Sequence, residues 1–196
     1  MSSTSHGRRD PDPRASMHPR LEELFAYLRV RRTALREAVE AVPEGLRDRR
    51  PAADRWSVAE VLEHVALVEE RFKTIIADRL AEARASGLGA ERETSPIVPT
   101  LDLAGILDRS SRHQAPDAVR PKGSDWKTAW SRLEDVRRSF LGVYGSGDGL
   151  ALADVVHVHP RLGSLNLYQW GVWVGGHEAR HTEQMREIAA TLNPEA

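Results

Sequence analysis

The sequence predicts an all-α fold: a four-helix bundle with long connections between the second and third helices and between the third and fourth. Three observations carry that expectation. Four long segments repeat apolar residues at three- and four-residue spacing. Alternating strand patterns do not recur. Proline is absent from the interiors of the four segments and collects between them.

Residues 1–17 are polar, rich in Ser, Arg and Pro and without periodicity, and read as a disordered arm ahead of a single domain over 18–196. The first helix opens at Pro19, a favoured residue for a first helical turn. Leu21, Leu24, Phe25, Leu28, Leu35 and Val39 form its stripe, and Pro43 stops it. The second helix has the clearest start signal. Ser57 and Glu60 make a capping box, and Trp56 can staple onto Val61. Val61, Leu62, Val65, Val68, Phe72, Ile75, Ile76 and Leu80 follow at helical spacing until the chain reaches Gly87. Residues 87–123 are punctuated by Gly and Pro; that is long for a structureless connection, so a short helix is expected near 101–113.

Ser124 can cap the third helix, with Trp126, Trp130, Leu133, Phe140, Leu141 and Tyr144 on one side and Gly145 as its stop. Residues 145–163 form a second connection in which Val155–His159 can run briefly extended. The last helix spans about 164–192, with Leu167, Trp170, Trp173, Val174, Met185, Ile188 and Leu192 facing inward. Four such helices pack most simply as a bundle.

Composition narrows the function. At 196 residues the chain can bury a sizeable core. Its 29% charged residues leave a net charge of −1, so no basic excess supports nucleic-acid or membrane-surface binding. No run approaches the ~20 apolar residues of a membrane span, and the first 17 residues lack the apolar core of a secretory signal. A cytoplasmic protein is expected. Cysteine is absent, which leaves histidine and carboxylate as the available metal ligands.

His177-Glu178-Ala179-Arg180-His181 is the most informative stretch. Two imidazoles four positions apart share one side of a helix and can reach one metal ion. Both lie on the apolar stripe, where unpartnered imidazoles cost on the order of a few kcal/mol in desolvation. His64 sits in the stripe of the second helix, three after Val61 and four before Val68. Three inward histidines on two helices point to a metal centre in the bundle core. Three neutral imidazoles leave one coordination position open, the arrangement of a catalytic site. Glu178 is turned about 100° from His177 on the helical wheel; it is a candidate general base or supporting partner of the histidines, with a solvated helix carboxylate as the alternative. His157 and His159 are candidates for supporting groups or exposed loop histidines. Gly175 and Gly176 suggest close approach of a ligand or of another helix.

The spelling His-Glu-x-x-His is also that of the zincin proteases. In the extended form of that motif, glycine and a third histidine follow; Gln184 and Glu187 stand at those places. Only 15 residues follow His181, too few for a second ligand-bearing helix. Proteolysis is not expected.

Two segments, Asp54-Arg55-Trp56-Ser57-Val58-Ala59-Glu60-Val61-Leu62-Glu63-His64 and Gly175-Gly176-His177-Glu178-Ala179-Arg180-His181-Thr182-Glu183-Gln184, resemble the DinB-like superfamily of metal-binding four-helix bundles. Ala115-Pro116, Pro121, His159-Pro160-Arg161-Leu162-Gly163 and Gln169-Trp170 resemble the connections of its DinB-2 branch. The resemblance covers about residues 20–192. It implies a divalent metal (zinc or nickel, with iron a further candidate) held by His64, His177 and His181, and a homodimer. It also implies a small-molecule substrate and chemistry such as transfer through a low-molecular-weight thiol, bacillithiol or mycothiol in characterised relatives. A hydrolase that uses metal-held hydroxide and a non-catalytic, stress-related metal-binding protein are the alternatives.

Overall fold

The computed structural model describes residues 16–110 and 114–193. Most of the expected arm, residues 1–15, lies outside them. The elements run α1 (Pro19–Glu40), α2 (Val58–Ala85), the one-turn α3 (Ala104–Leu107), α4 (Trp126–Ser146), a hairpin of β1 (Val156–His159) and β2 (Gly163–Asn166), and α5 (Leu167–Leu192). The four long helices form the bundle that the periodicity predicts, with α1 packed mainly on α5 and α2 mainly on α4. Among the described residues no helix is long and apolar enough to cross a membrane.

Local chemistry sets the helix ends. Ser57 and Glu60 make the predicted capping box, Glu60 N donating to Ser57 Oγ at 3.2 Å and Ser57 N to Glu60 at 2.9 Å. The third long helix is capped by Asp125 rather than Ser124. The Asp125 carboxylate accepts from Lys127 N and Thr128 N, both at 3.0 Å. The last helix starts at Leu167, behind a capping box of Asn166 and Gln169. Ser164 is instead paired with Val158 in the hairpin, so the extended run near 155–159 gains a partner strand. The helix expected near 101–113 shrinks to α3, and residues 111–113 lie outside the described ones.

The core is divided. One apolar cluster gathers around Leu24, Leu28, Phe72, Phe140, Tyr144 and Trp170, a second around Leu35, Val61, Leu62, Leu133, Met185 and Ile188. Between them lies a buried layer of four charges, one from each long helix: Arg32 of α1, Glu69 of α2, Arg137 of α4 and Glu178 of α5. Arg32 Nε donates to Glu178 Oε1 at 2.6 Å and Arg32 Nη2 to Glu69 Oε2 at 3.3 Å. Arg137 grips Glu69 through Nε at 2.5 Å and Nη2 at 3.1 Å, and also donates to the other Glu178 oxygen. The spare guanidinium donors reach Glu134 and the carbonyls of Leu133 and Leu28. Burial works against the Arg137 charge, but Glu178 and Glu69 overcome it and hold its pKa above the ordinary value. Burial also pushes the Glu69 carboxyl up, against the pull of Arg137 and Arg32.

Glycines let α5 come close to its neighbours. A Cβ on Gly175 would sit 2.2 Å from the Tyr27 ring, and one on Gly176 would sit 2.8 Å from Leu103. Close packing of protein on protein therefore accounts for both. Gly175→Ala should overpack the α1–α5 seam by about 1–3 kcal/mol, outweighing a gain in helix propensity of about 1 kcal/mol. Gly142→Ala, exposed on α4 with nothing within 4 Å, should show that gain alone. Urea unfolding checks both, and equal shifts of the same sign would contradict the close-packing account. Glu178→Ala leaves Arg32 and Arg137 sharing one carboxylate in the core. It should lower stability by about 3–5 kcal/mol, with Glu178→Gln milder because it keeps the shape and one acceptor. Wild-type stability in both variants would remove the layer from the framework.

Candidate metal centre

α2 presents His64 and α5 presents His177 and His181, and the bundle brings the three imidazoles together. One ligand atom from each lies within 4.8 Å of the others. The ring centroids are 4.5–5.3 Å apart. His177 Nε2 and His181 Nε2 stand 3.2 Å apart, close to the ~3.3 Å edge of a tetrahedron with zinc–nitrogen bonds of about 2.0 Å.

The outward ring nitrogens of His64 and His181 are tied off. His64 Nδ1 donates to the Val119 carbonyl at 2.7 Å, which fixes the tautomer and leaves the Nε2 lone pair free to bind. His181 Nδ1 lies 2.8 Å from Gln184 Oε1 and does the same for its own Nε2. His177 stacks on Trp173 at 5.0 Å between centroids, and Trp56 lies 5.0 Å from His64. Burial lowers the pKa of all three histidines, most for His177 and His181, which also oppose one another's charge and that of His64. Neutral imidazoles with bare Nε2 atoms turned toward one another fit a divalent metal ion.

The connection before α4 is fastened beside the centre by a residue that the sequence reading left unassigned. Glu63 Oε2 accepts from the backbone N–H groups of Lys122, Gly123 and Ser124 at 3.0, 3.0 and 3.1 Å. Burial raises the Glu63 pKa, but these donors outweigh it and hold the carboxyl below its ordinary range. With Val119 bonded to His64, neighbouring α2 residues hold the loop at two points. The run of three loop amides is not a pattern that side-chain periodicity reveals.

The histidines open onto a cavity of roughly 1350 Å³, walled by Phe72, Ile75, Trp170, Trp173 and the hairpin. His159 lines it as well. Its Nδ1 accepts from the N–H groups of Arg161 and Leu162, both at 3.2 Å, and its ring packs on Trp170 and Trp173. His159 is therefore a buried wall of the site rather than an exposed loop residue. His157 lines the cavity more openly, 5.7 Å from Trp170. His18 caps α1, while His6 and His113 lie outside the described residues.

Glu178 requires a correction. It is fully buried, so it is not a solvated carboxylate. Both of its oxygens are taken by Arg32 and Arg137, and it does not line the cavity. A general base needs access to a reacting proton, and this carboxylate faces the other side of its helix.

The family model described as the DinB superfamily matches residues 26–185. An uncharacterized protein, YuaE of Bacillus subtilis (strain 168), is 30% identical over 148 residues, 72% of this chain and 82% of the relative. No solved structure matches significantly.

Burial of the histidines has a consequence for stability. In the unfolded chain histidine titrates near pH 6.5, and in the fold all three titrate lower. Below that pH the unfolded state binds more protons, so stability rises with pH across this window and is lost as the pH falls. Chelator-treated protein should unfold at progressively lower urea from about pH 7.5 to about pH 5.5, more steeply than His181→Gln. Parallel profiles would show that His181 makes no such contribution.

Proposed function

The chain belongs to the DinB superfamily, and from that membership and its histidine centre we propose that it is a metal-dependent transferase acting through a low-molecular-weight thiol. One observation carries the reading. Three imidazoles with their ligand atoms within 4.8 Å of one another open onto a cavity large enough for two small molecules. His64, His177 and His181 would hold the ion, zinc or nickel, or else iron. Bound there, it would supply Lewis acidity that lowers the pKa of a thiol or water brought to it.

The chain's own groups do the rest. Val119 and Gln184 fix the tautomers of His64 and His181. Trp173 holds the plane of His177, and Phe72, Trp170 and Trp173 pack together as an aromatic wall of the cavity. Arg32 and Arg137, through Glu178, fix the turn of α5 that carries both histidines. Glu178 is thus a positioning residue. The thiol step and a homodimer rest on family membership, and a cytoplasmic location rests on the sequence expectation alone.

Purified protein should carry about one equivalent of transition metal, lost in His64→Ala and His181→Ala variants that still fold. Metal-loaded wild type should consume monochlorobimane only with a suitable thiol, screened over a panel that includes bacillithiol and mycothiol. Absence of metal-dependent turnover with every thiol would overturn the transferase reading. Turnover of esters without added thiol would replace it with hydrolysis.

A further inference from the structure

Six arginines line the cavity (Arg55, Arg71, Arg109, Arg120, Arg161 and Arg180) against a single acid, Asp54. The chain as a whole has a net charge of −1, so this is a local concentration of positive charge. Several of these side chains already have structural partners. Arg55 and Arg109 share Glu187 at 2.8 and 2.7 Å, Arg120 meets Asp117 at 3.1 Å, and Arg180 donates to the carbonyls of Ile106 and Asp108. Arg71 and Arg161 differ: among the described residues neither guanidinium forms an ion pair with a carboxylate. Both are exposed on the cavity rim.

Their placement sets a length. Arg71 follows His64 by two helical turns on α2, about 10 Å along the axis, and Val68 lines the cavity between them, with Phe72 beside Arg71. Arg161 sits in the hairpin turn, two residues after the buried His159. The cavity therefore has three imidazoles in its wall, apolar residues beside them, and at its rim two cations without a protein carboxylate, of which Arg71 stands about 10 Å from His64 along α2. Guanidinium groups bind planar oxyanions in a forked, charge-assisted geometry.

We propose that the cavity selects an elongated ligand with an apolar body and an oxyanion group, the reacting end lying at the three histidines and the anionic end at Arg71 and Arg161. The inference rests on the metal-centre reading above for the orientation of the ligand, and on the arginines alone for its charge.

The test uses zinc-loaded, full-length protein, with quenching of tryptophan fluorescence as the readout. Three ligands share a thiol and a chain of the right length and differ at the far end: mercaptooctanoate, mercaptooctyl phosphate and mercaptooctanol. Wild type should bind one or both anions about tenfold more tightly than the alcohol. The better anion identifies the oxyanion class. The Arg71→Gln/Arg161→Gln double variant should lose that preference while keeping its metal content and melting temperature. Equal affinities in wild type, or a preference that survives in the double variant, would overturn the proposal. If none of the thiols binds, the thiol reading fails on its own, and octanoate against octanol on the same protein then decides the arginine site. An octanoate preference abolished in the double variant upholds it, and no preference rejects it.

Discussion

The structure hangs on its buried layer of charge. Arg32, Glu69, Arg137 and Glu178 come from the four long helices and meet between two apolar clusters, so each helix is bonded across the core. Such a layer is no obvious source of stability, because stripping water from four ions can cost as much as their attraction returns. What it imposes is geometry. Apolar side chains tolerate a small rotation or slide of one helix on another; paired guanidinium and carboxylate groups tolerate far less.

That constraint reaches the histidines through α5. Glu178 points inward because two arginines hold it there. On an α-helix His177 and His181 then lie about 100° and about 60° to the same side of it. With the carboxylate fixed, both imidazoles must face the flank where α2 presents His64. The same helix thus separates two kinds of buried polar group, an ion-paired carboxylate in the core and imidazole nitrogens at the cavity.

Much of this was legible in the sequence. Helical periodicity gave four long helices, the Ser57–Glu60 capping box fixed the start of α2, and stripe position picked out His64, His177 and His181. Misplaced boundaries have local causes. Asp125, with two backbone donors in reach, displaced Ser124 as a cap, and Asn166 with Gln169 delayed α5 while β2 formed. The charged layer left a trace that went unread. The stripe of α1 jumps seven residues from Leu28 to Leu35, and that of α4 jumps seven from Leu133 to Phe140. Each gap holds a buried arginine, Arg32 in the first and Arg137, beside Val136, in the second. Apolar periodicity marks a charged residue as outward unless its partners are known, so Arg32, Arg137, Glu69 and Glu178 do not stand out as core residues. The Glu63 clamp was hidden for a different reason: its partners are backbone amides, which carry no side-chain signature.

A site that binds one ion through two helices needs their relative rotation held closely, since ligand atoms must converge to within a fraction of an ångström. A wholly apolar bundle would place such a site on its least determined coordinate. Here His177 and His181 flank the one residue of α5 whose azimuth is fixed by two cations, and His64 lies on α2, which supplies the other carboxylate, Glu69. The loop clamp adds the remaining restraint, because Val119 and the amides of 122–124 hold the His64 ring and its helix against the connection. The polar layer and the histidine cluster are therefore one construction: the first fixes helix orientation at the level where the second needs it.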